Sequence, residues 1–222
     1  MRCENILAAA AAICASTVFA LPANAVPINF NITAGTFTPG TGYGVDASEL
    51  PNDHPTLLDV IFSNGAFSLQ NFNLNFVGDS HTFQFGTVNF AEPNGNGAAG
   101  INPGEQDNLG LTANFTFVNP LAGIQNVTAA GTAFVNQIDD VQTDYTLAWT
   151  PLIVNFGNTG QFQIDLTNLT FTDNGTQNLD ATITLLADDS NDQLPVPEPS
   201  SMLLLGSGLA LTAIRRRRRS KA

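Results

Sequence analysis

Apolar and polar residues alternate along several stretches of the chain, and this alternation is the clearest structural signal in the sequence. Between residues 109 and 117, five apolar side chains alternate with glycine, threonine and asparagine, and residues 179–185 and 145–149 repeat the pattern. Because successive side chains of a β-strand point to opposite faces, such alternation predicts strands with one buried face. No segment between residues 26 and 194 has a sustained helical period. The sequence therefore predicts an all-β domain.

Three further stretches alternate but shift by one residue partway along. The shifts lie within residues 67–76, near Gly86 within residues 83–90, and between Leu166 and Leu169. A one-residue shift moves the side chains to the opposite face of a strand, and it is typical of a β-bulge or a bend. These segments therefore also predict strands, with the curvature that sandwich strands have.

Residues rich in glycine, proline and asparagine separate the predicted strands. Residues 38–44 and 93–108 predict loops, and the second is long enough to be typical of a functional or mobile loop. Asn64-Gly65 and Asn174-Gly175 predict hairpin-type turns. Regularly spaced strands with such turns favour an antiparallel β-sandwich or jelly-roll-like domain over residues 26–194.

The first 25 residues have the composition of a secretory signal peptide. A basic residue precedes an apolar, alanine-rich stretch, and small residues around Ala25 form a cleavage site, so the mature chain is expected to begin at Val26. Cys14 would suit a lipoprotein, but the large Ile13 stands where a lipobox needs a small residue. The predicted partners during export are the Sec translocon and signal peptidase.

The C-terminal segment combines three parts. Residues 195–201 form a linker whose prolines keep the backbone extended. The next 13 residues, 202–214, carry no charge and predict a short transmembrane helix, which covers about 20 Å of a roughly 30 Å hydrocarbon core. A basic tail, residues 215–222, follows as a stop signal on the cytoplasmic side. The linker motif is Pro197, Glu198 and Pro199, and the stop signal is Arg215, Arg216, Arg217, Arg218 and Arg219.

This tail resembles the PEP-CTERM sorting signal of envelope proteins in Gram-negative bacteria and cyanobacteria, in which the same motif, apolar helix and arginine cluster follow in the same order. In that family a membrane-embedded exosortase recognises the tail and cleaves near Pro-Glu-Pro, which releases or re-anchors the protein. The resemblance implies that the chain is held transiently in the inner membrane and then reaches the cell envelope, the surface or the extracellular matrix. The alternative is an ordinary short tail anchor or a helix that spans the membrane poorly.

Charge is distributed unevenly along the chain. Six of the seven basic residues lie in the tail and the seventh is Arg2, so residues 26–214 contain no basic side chain. They hold 18 of the 19 acidic residues, because only Glu4 lies outside them. Both cysteines lie in the predicted signal peptide, so the mature chain has no disulfide. A purely negative domain repels nucleic-acid phosphates and anionic lipids, which excludes nucleic-acid binding.

The middle of the chain is similar to the choice-of-anchor β-domains that precede interchangeable bacterial sorting tails, and it is nearest to the K type. The segments that carry this likeness are residues 35–37, 83–90, 109–117 and 162–171. The likeness spans most of the mature chain and implies an all-β fold. That family offers no assigned catalytic residues to transfer.

Candidate catalytic chemistry is sparse. The two histidines, His54 and His81, are 27 residues apart in or beside predicted loops, and no Gly-x-Ser-x-Gly motif positions a serine nucleophile. A zinc site would need more clustered His or Cys ligands. A glycosidase pair among the carboxylates stays open, because separation in space is invisible in a sequence. We predict no catalytic residue and a protein that is not an enzyme.

Acidic clusters offer the other candidate chemistry. Oxygen-rich loops suit Ca²⁺, which takes about six to eight hard ligands. No cluster has the spaced Asp-x-Asp-x-Asp-Gly loop, and adjacent carboxylates also arise from composition alone in so acidic a chain. Ca²⁺ is therefore the one cofactor retained as a candidate. Its candidate ligands are Glu105, Asp107, Asp139 and Asp140.

Two classes of function remain. The first is a non-enzymatic structural or adhesive protein of the envelope or extracellular matrix, linked to exopolysaccharide as the sorting-signal resemblance implies. The second is a carbohydrate-binding, lectin-like domain or a glycoside-hydrolysing one, because sandwich folds often carry sugar sites. Exposed aromatic residues would favour sugar binding, and the few candidates are Tyr43, Tyr145 and Trp149. Tyr145 and Trp149 fall on one alternating face, which is more typical of a core.

Overall fold

The computed structural model describes residues 26–45, 57–95, 98–135, 138 and 140–189. These residues belong to one compact unit, Ala25–Asn191. The predicted signal peptide, the Pro/Ser linker, the short apolar helix and the basic tail lie outside the described residues. Within the described ranges, no helix is long and apolar enough to cross a membrane.

The alternating segments form strands throughout the described part of the chain. A 3-10 turn, Pro103–Gln106, lies in the long loop before β8. The strands β8, β10 and β14 cover the three segments whose alternation is most regular, except that β8 begins one residue after Leu109. The bounds are β1 (Ile28–Pro39), β2 (Tyr43–Gly44), β3 (Leu58–Ser63), β4 (Gln70–Leu74), β5 (Ser80–Phe90), β6 (Asn94–Gly95), β7 (Ala98–Ala99), β8 (Gly110–Asn119), β9 (Gly123–Ala133), β10 (Tyr145–Trp149), β11 (Leu152–Phe156), β12 (Gly160–Leu166), β13 (Leu169–Phe171) and β14 (Gly175–Ala187).

Twelve of these strands form two six-stranded sheets. Sheet A has the order β13-β10-β9-β8-β1-β4, and sheet B has the order β11-β12-β14-β5-β3-β2. Neighbouring strands pair antiparallel except β2 and β3, which pair in parallel. The short strands β6 and β7 form a separate ribbon. The all-β prediction is confirmed, and the jelly-roll-like topology stays a prediction.

The two sheets contact each other through aromatic side chains on their inward faces. Phe30 of β1 meets Phe162 of β12 with ring centroids 5.1 Å apart and planes at 90°, and Phe85 of β5 lies 4.4 Å from Phe115 of β8. Edge-to-face and tilted contacts of this kind are the ones that the charge distribution of aromatic rings favours. All four rings are fully buried. The apolar side chains of the alternating segments therefore form one shared core, and the polar side chains face solvent.

Two predicted hairpin turns instead carry the chain between sheets. Asn64-Gly65 joins β3 of sheet B to β4 of sheet A, and Asn174-Gly175 lies between β13 of sheet A and β14 of sheet B. The hairpin prediction is wrong at both places, because turn residues fix a local reversal but not the sheet that the next strand joins. At the second crossing, Asn174 Nδ2 donates to the carbonyl oxygen of Glu92 (2.6 Å), which ties this turn to the end of β5.

The shifts in alternation have two different structural causes. Near Gly86 the pairing of β5 with β14 shifts register opposite Leu179 and Asp180, so an irregularity of the predicted kind is present. Between Leu166 and Leu169, however, the chain leaves β12 in sheet B and enters β13 in sheet A. Because the core lies between the sheets, a chain that changes sheets must reverse the direction in which its apolar side chains point.

Candidate binding surface

The residues predicted to direct sorting and processing lie almost entirely outside the described part of the chain. Val26 is the first described residue, and 70% of its side chain area is exposed. Ala25, which precedes it, is outside the described ranges, and so is the whole tail. The predicted sorting residues concerned are Pro197, Glu198, Pro199, Arg215, Arg216, Arg217, Arg218 and Arg219.

Glu105, a predicted calcium ligand, is buried and caps the 3-10 turn of the long loop. Its Oε2 accepts a hydrogen bond from the Asn102 backbone amide (2.7 Å), and its Oε1 accepts one from Asn102 Nδ2 (3.3 Å). The Asn102 and Glu105 side chains together form a capping box, an arrangement that satisfies backbone donors at the start of a helical turn. Local hydrogen bonding therefore accounts for the position of this carboxylate. Asp107, two residues further on, is exposed.

Asp140, the other described candidate, organises its own turn. Its carboxylate accepts hydrogen bonds from the backbone amide and the side-chain amide of Gln142. Asp139 lies outside the described residues. Among the described residues, no group of three or more His, Cys, Asp or Glu side chains could hold a metal ion. The described members of the candidate set, Glu105, Asp107 and Asp140, are thus not assembled into a site, and Ca²⁺ binding stays a prediction.

The three aromatic candidates for sugar binding belong to the core. Tyr145 is fully buried, and Tyr43 and Trp149 are 9% and 6% exposed. Tyr43 Oη donates to the Leu109 carbonyl oxygen (2.8 Å) and lies 2.8 Å from Tyr145 Oη. Burial raises the pKa of Tyr43 to about 12 and raises that of Tyr145 further. These rings cannot serve as a sugar platform, since their faces are covered.

His81 lies at the start of β5 and packs on an aromatic ring. Its imidazole stacks on Phe72 with centroids 4.0 Å apart, and its Nε2 lies 3.4 Å from Gln70 Oε1. His54 lies outside the described residues. The contacts of His81 are those of a packed, half-buried side chain, and the absence of a catalytic histidine stays a prediction.

Sequence reasoning missed three buried acids that lie at or next to strand ends. Asp59, Glu92 and Asp144 are at most 4% exposed. The Asp59 backbone amide donates to Glu92 Oε1 (2.6 Å), and Glu92 follows Phe90, whose ring stacks on that of Tyr145 beside Asp144. In an acid-rich sequence nothing local distinguishes these carboxylates from exposed ones. They became recognisable only when the strand ends came together.

The strands of sheet A contain no Asp, Glu, His, Lys or Arg, whereas the strands of sheet B contain Asp59, His81, Asp165 and Asp180. The outward side chains of sheet A are mainly threonine and asparagine, and they pair across the strands. Asn114 Nδ2 donates to Thr38 Oγ1 (2.9 Å). The outward rows that lie opposite each other in register are Thr38, Thr112 and Thr128; Thr36, Asn114 and Asn126; and Thr132, Thr146 and Thr170.

One end of this outer face is concave. A depression of about 490 Å³ is lined by Thr38, Thr41, Asn108, Thr112 and Thr128, together with neighbouring backbone and apolar atoms, and no carboxylate lines it. The turn that forms one wall is held by the Gly40 amide, which donates to the Gly110 carbonyl oxygen (2.7 Å). Any side chain at position 40 would collide with the Asn108 carbonyl oxygen. Glycine is therefore required for this wall.

Comparison with known protein families identifies the PEP-CTERM protein-sorting motif at residues 195–219. Comparison with characterised proteins and with solved structures gave no match. The likeness of the middle of the chain to choice-of-anchor domains stays a prediction, whereas the resemblance of the tail is confirmed. The chain therefore carries a PEP-CTERM sorting signal, which implies an exported protein that exosortase processes and directs to the cell envelope or surface.

Proposed function

We propose that this chain is a non-enzymatic structural or adhesive protein of the envelope or extracellular matrix, associated with exopolysaccharide, in a Gram-negative or cyanobacterial cell. The observation that carries the proposal is the sorting motif at residues 195–219, because it implies delivery to the outside of the cell. Sec-dependent export with removal of residues 1–25 by signal peptidase belongs to the same proposal. So does the assignment of the two facing sheets to a choice-of-anchor-like β-sandwich.

The described domain is suited to a scaffold role. Its aromatic core joins both sheets, and the acids Glu105 and Asp140 are engaged in capping and turn contacts. The sequence supplies neither a nucleophile motif nor cysteine in the mature chain. A domain with these properties supports display of a surface rather than turnover of a substrate.

A carbohydrate-binding, lectin-like role is the second candidate, and the uncharged outer face of sheet A favours it. Polysaccharides present hydroxyl groups, and rows of threonine and asparagine offer both donors and acceptors to them. Glycoside hydrolysis has weaker support, since the depression on this face has no carboxylate among its lining residues.

The deciding experiment replaces Pro197, Glu198 and Pro199 by alanine in the native host. We expect most of the variant to remain as a full-length precursor in the inner membrane, because exosortase would no longer recognise it. Immunoblots of inner-membrane and matrix fractions measure the distribution. The control replaces the adjacent Ser200 and Ser201 by alanine and should be processed normally.

The role in the matrix is tested in a host strain that makes no exopolysaccharide. The parent protein should then leave the matrix fraction and appear in the culture medium. Processing of the Pro-Glu-Pro variant at the normal rate would contradict the sorting part of the proposal. Unchanged retention of the parent protein in the strain without exopolysaccharide would contradict the polysaccharide part.

A further inference from the structure

The outer face of sheet A is uncharged within a domain that is otherwise acidic. Residues 26–214 contain 18 acidic and no basic side chains, yet no acidic residue occurs in any strand of this sheet. A solvent-facing strand position accepts Asp or Glu without disturbing the core, as Asp165 and Asp180 illustrate in sheet B. Folding alone therefore does not require a neutral face.

Two pairs of facing threonines, one on each sheet, differ in what their hydroxyl groups bond. On sheet B, the hydroxyls of Thr82 and Thr182 bond to each other at 2.8 Å. On sheet A, Thr112 and Thr128 also stand opposite each other, but within the described ranges their hydroxyls bond to no other residue. Both line the depression. Their donors and acceptors are therefore available to a ligand.

The spacing of these groups is regular. Neighbouring strands are about 4.8 Å apart, and outward side chains on one strand repeat every two residues, or about 6.8 Å. Because rows from β1, β8 and β9 are in register, the polar groups form a grid rather than a single pocket. A grid of this kind suits an extended polymer with repeating hydroxyl groups, which would gain several weak hydrogen bonds along its length.

The negative charge of the chain limits which class of extended polymer could bind this face. Nucleic acids, acidic polysaccharides and anionic membranes are repelled by a segment, residues 26–214, with 18 acidic and no basic side chains. A second copy of the chain carries the same negative charge and is repelled for the same reason. An uncharged polymer is not repelled, and it would contact a face on which no carboxylate must be desolvated.

We infer that the outer face of sheet A binds a neutral polysaccharide chain, with the depression lined by Thr112 and Thr128 as the point of closest contact. This inference rests on the proposed association with exopolysaccharide and narrows it to the uncharged polymer class. It assigns recognition to the threonine hydroxyls, not to aromatic side chains.

The test uses the mature protein purified from the exporting host. The host's extracellular polysaccharide is separated by anion exchange into a neutral and an acidic fraction, and each is cast into a native gel for affinity electrophoresis. The neutral fraction should retard the parent protein and the acidic fraction should not. Replacing both threonines by the isosteric valine (Thr112→Val with Thr128→Val) should weaken the retardation about tenfold, since two hydrogen-bonding groups are lost.

The matched control is the double variant Thr82→Val with Thr182→Val. It removes the same two hydroxyls from a cross-strand pair on sheet B and should bind the neutral fraction as the parent does. Circular dichroism and urea unfolding establish that both variants keep the fold. Asn126→Asp adds a single negative charge to the outer face of sheet A and should also weaken binding, whereas its stability should change little.

Several outcomes would overturn the inference. They are failure of the neutral fraction to retard the parent, equal retardation by the acidic fraction, equal losses in the two double variants, and a self-association in sedimentation experiments that the sheet A variant abolishes. The proposed function is judged separately, by retention of the parent in the matrix of the native host. A protein retained there without binding the neutral fraction would refute the inference alone.

Discussion

The two sheets have similar inner faces and different outer faces. Both contribute buried phenylalanine and branched aliphatic side chains to one core. On the outside, sheet B mixes threonine, glutamine and asparagine with Asp165 and Asp180, whereas sheet A has no charged side chain. Folding requires only that apolar and polar positions alternate, and both sheets meet that requirement. The neutral character of sheet A is therefore a property beyond what the fold needs.

The acidic residues of the described ranges lie mainly where strands end. Asp79, Glu105, Asp140 and Asp189 accept hydrogen bonds from backbone amides or neighbouring side chains in turns. Asp79, for example, accepts from the amides of two residues of the turn before β5 at 2.9 and 3.0 Å. Charges in such positions stabilise turns, and none of these four acids lies in a strand of sheet A. At physiological ionic strength their field is screened within about 8 Å.

The largest effect should come from the inner face that the sheets share. Phe85 is fully buried and contacts Phe37 and Phe115 of sheet A. Phe85→Ala should lower the free energy of unfolding by about 3–5 kcal/mol, through lost burial and the cavity left behind. Urea denaturation measures the change. The control Phe76→Ala removes a ring that is 63% exposed and should cost less than about 0.5 kcal/mol.

A single unfolding transition is expected for the Phe85 variant, because its ring contacts both sheets. Two separate transitions would show that the sheets unfold independently, and they would contradict the conclusion that the two sheets share one core. A loss as small as that of the Phe76 variant would contradict the assignment of Phe85 to the core.

A smaller effect should follow from the tyrosine pair inside the same core. Tyr43→Phe removes the hydroxyl that donates to the Leu109 carbonyl oxygen and contacts the Tyr145 hydroxyl, and it should cost roughly 1–2 kcal/mol. The Leu109 carbonyl keeps its bond from the Gly131 amide (2.8 Å), which limits the loss. Tyr145→Phe should cost less, because Tyr43 would keep its bond to Leu109. An equal or reversed order in urea denaturation would contradict this hydrogen-bond arrangement.

The same pair predicts how stability depends on alkaline pH. Burial raises the pKa of Tyr43 to about 12, while its unfolded value is 10.0. The unfolded chain therefore loses this proton first, so the stabilisation is complete below pH 10 and is lost as the pH rises toward 12. The slope should be up to about 1.4 kcal/mol per pH unit for each buried tyrosine. Urea midpoints between pH 9 and pH 12 measure it, and a variant with phenylalanine at both positions should show a flatter profile.

The smallest effect should come from the outer face of sheet B. Asp165 pairs with Thr182 and Asp180 pairs with Gln84, so the two carboxylates lie on neighbouring strands in a diagonal relation. Like charges in such positions repel weakly. Asp180→Asn should therefore raise the free energy of unfolding by a few tenths of a kcal/mol at low salt, and the gain should shrink at high salt. A loss of stability, or a gain independent of salt, would show that this repulsion is absent.

Much of the fold was predictable because the alternation of apolar and polar residues in a strand can be seen within a short stretch of sequence. Residues 109–117 and 179–185 alternate so regularly that β8 and β14 could be located closely from the sequence alone. The crossings at Asn64-Gly65 and Asn174-Gly175 could not be predicted, because a turn's residues do not encode which sheet receives the next strand. The shift between Leu166 and Leu169, which the sequence suggested was a bulge or bend, is also a crossing between the sheets, and it could not be predicted for the same reason.

The candidate surface was less accessible to sequence reasoning. Each strand of sheet A is visibly free of charge, but six separate segments had to be assembled before they formed one neutral face. The burial of Asp59, Glu92 and Asp144 could not be predicted from the sequence either, because it depends on strand ends that are far apart in the chain. Local patterns predict which face of a strand points inward. Only the pairing of strands in the folded chain shows which side chains lie together on the outward face.

Trp149, the only tryptophan in the chain, gives the molecule an internal optical probe. It ends β10, just before the chain passes from sheet A to β11 of sheet B, and it is 6% exposed. Its indole N–H has no hydrogen-bond acceptor among the described residues, so its fluorescence in the folded state should be emitted at short wavelength. A shift of that emission toward the red would report solvent entering at the junction of the sheets, from a single site and without any added label.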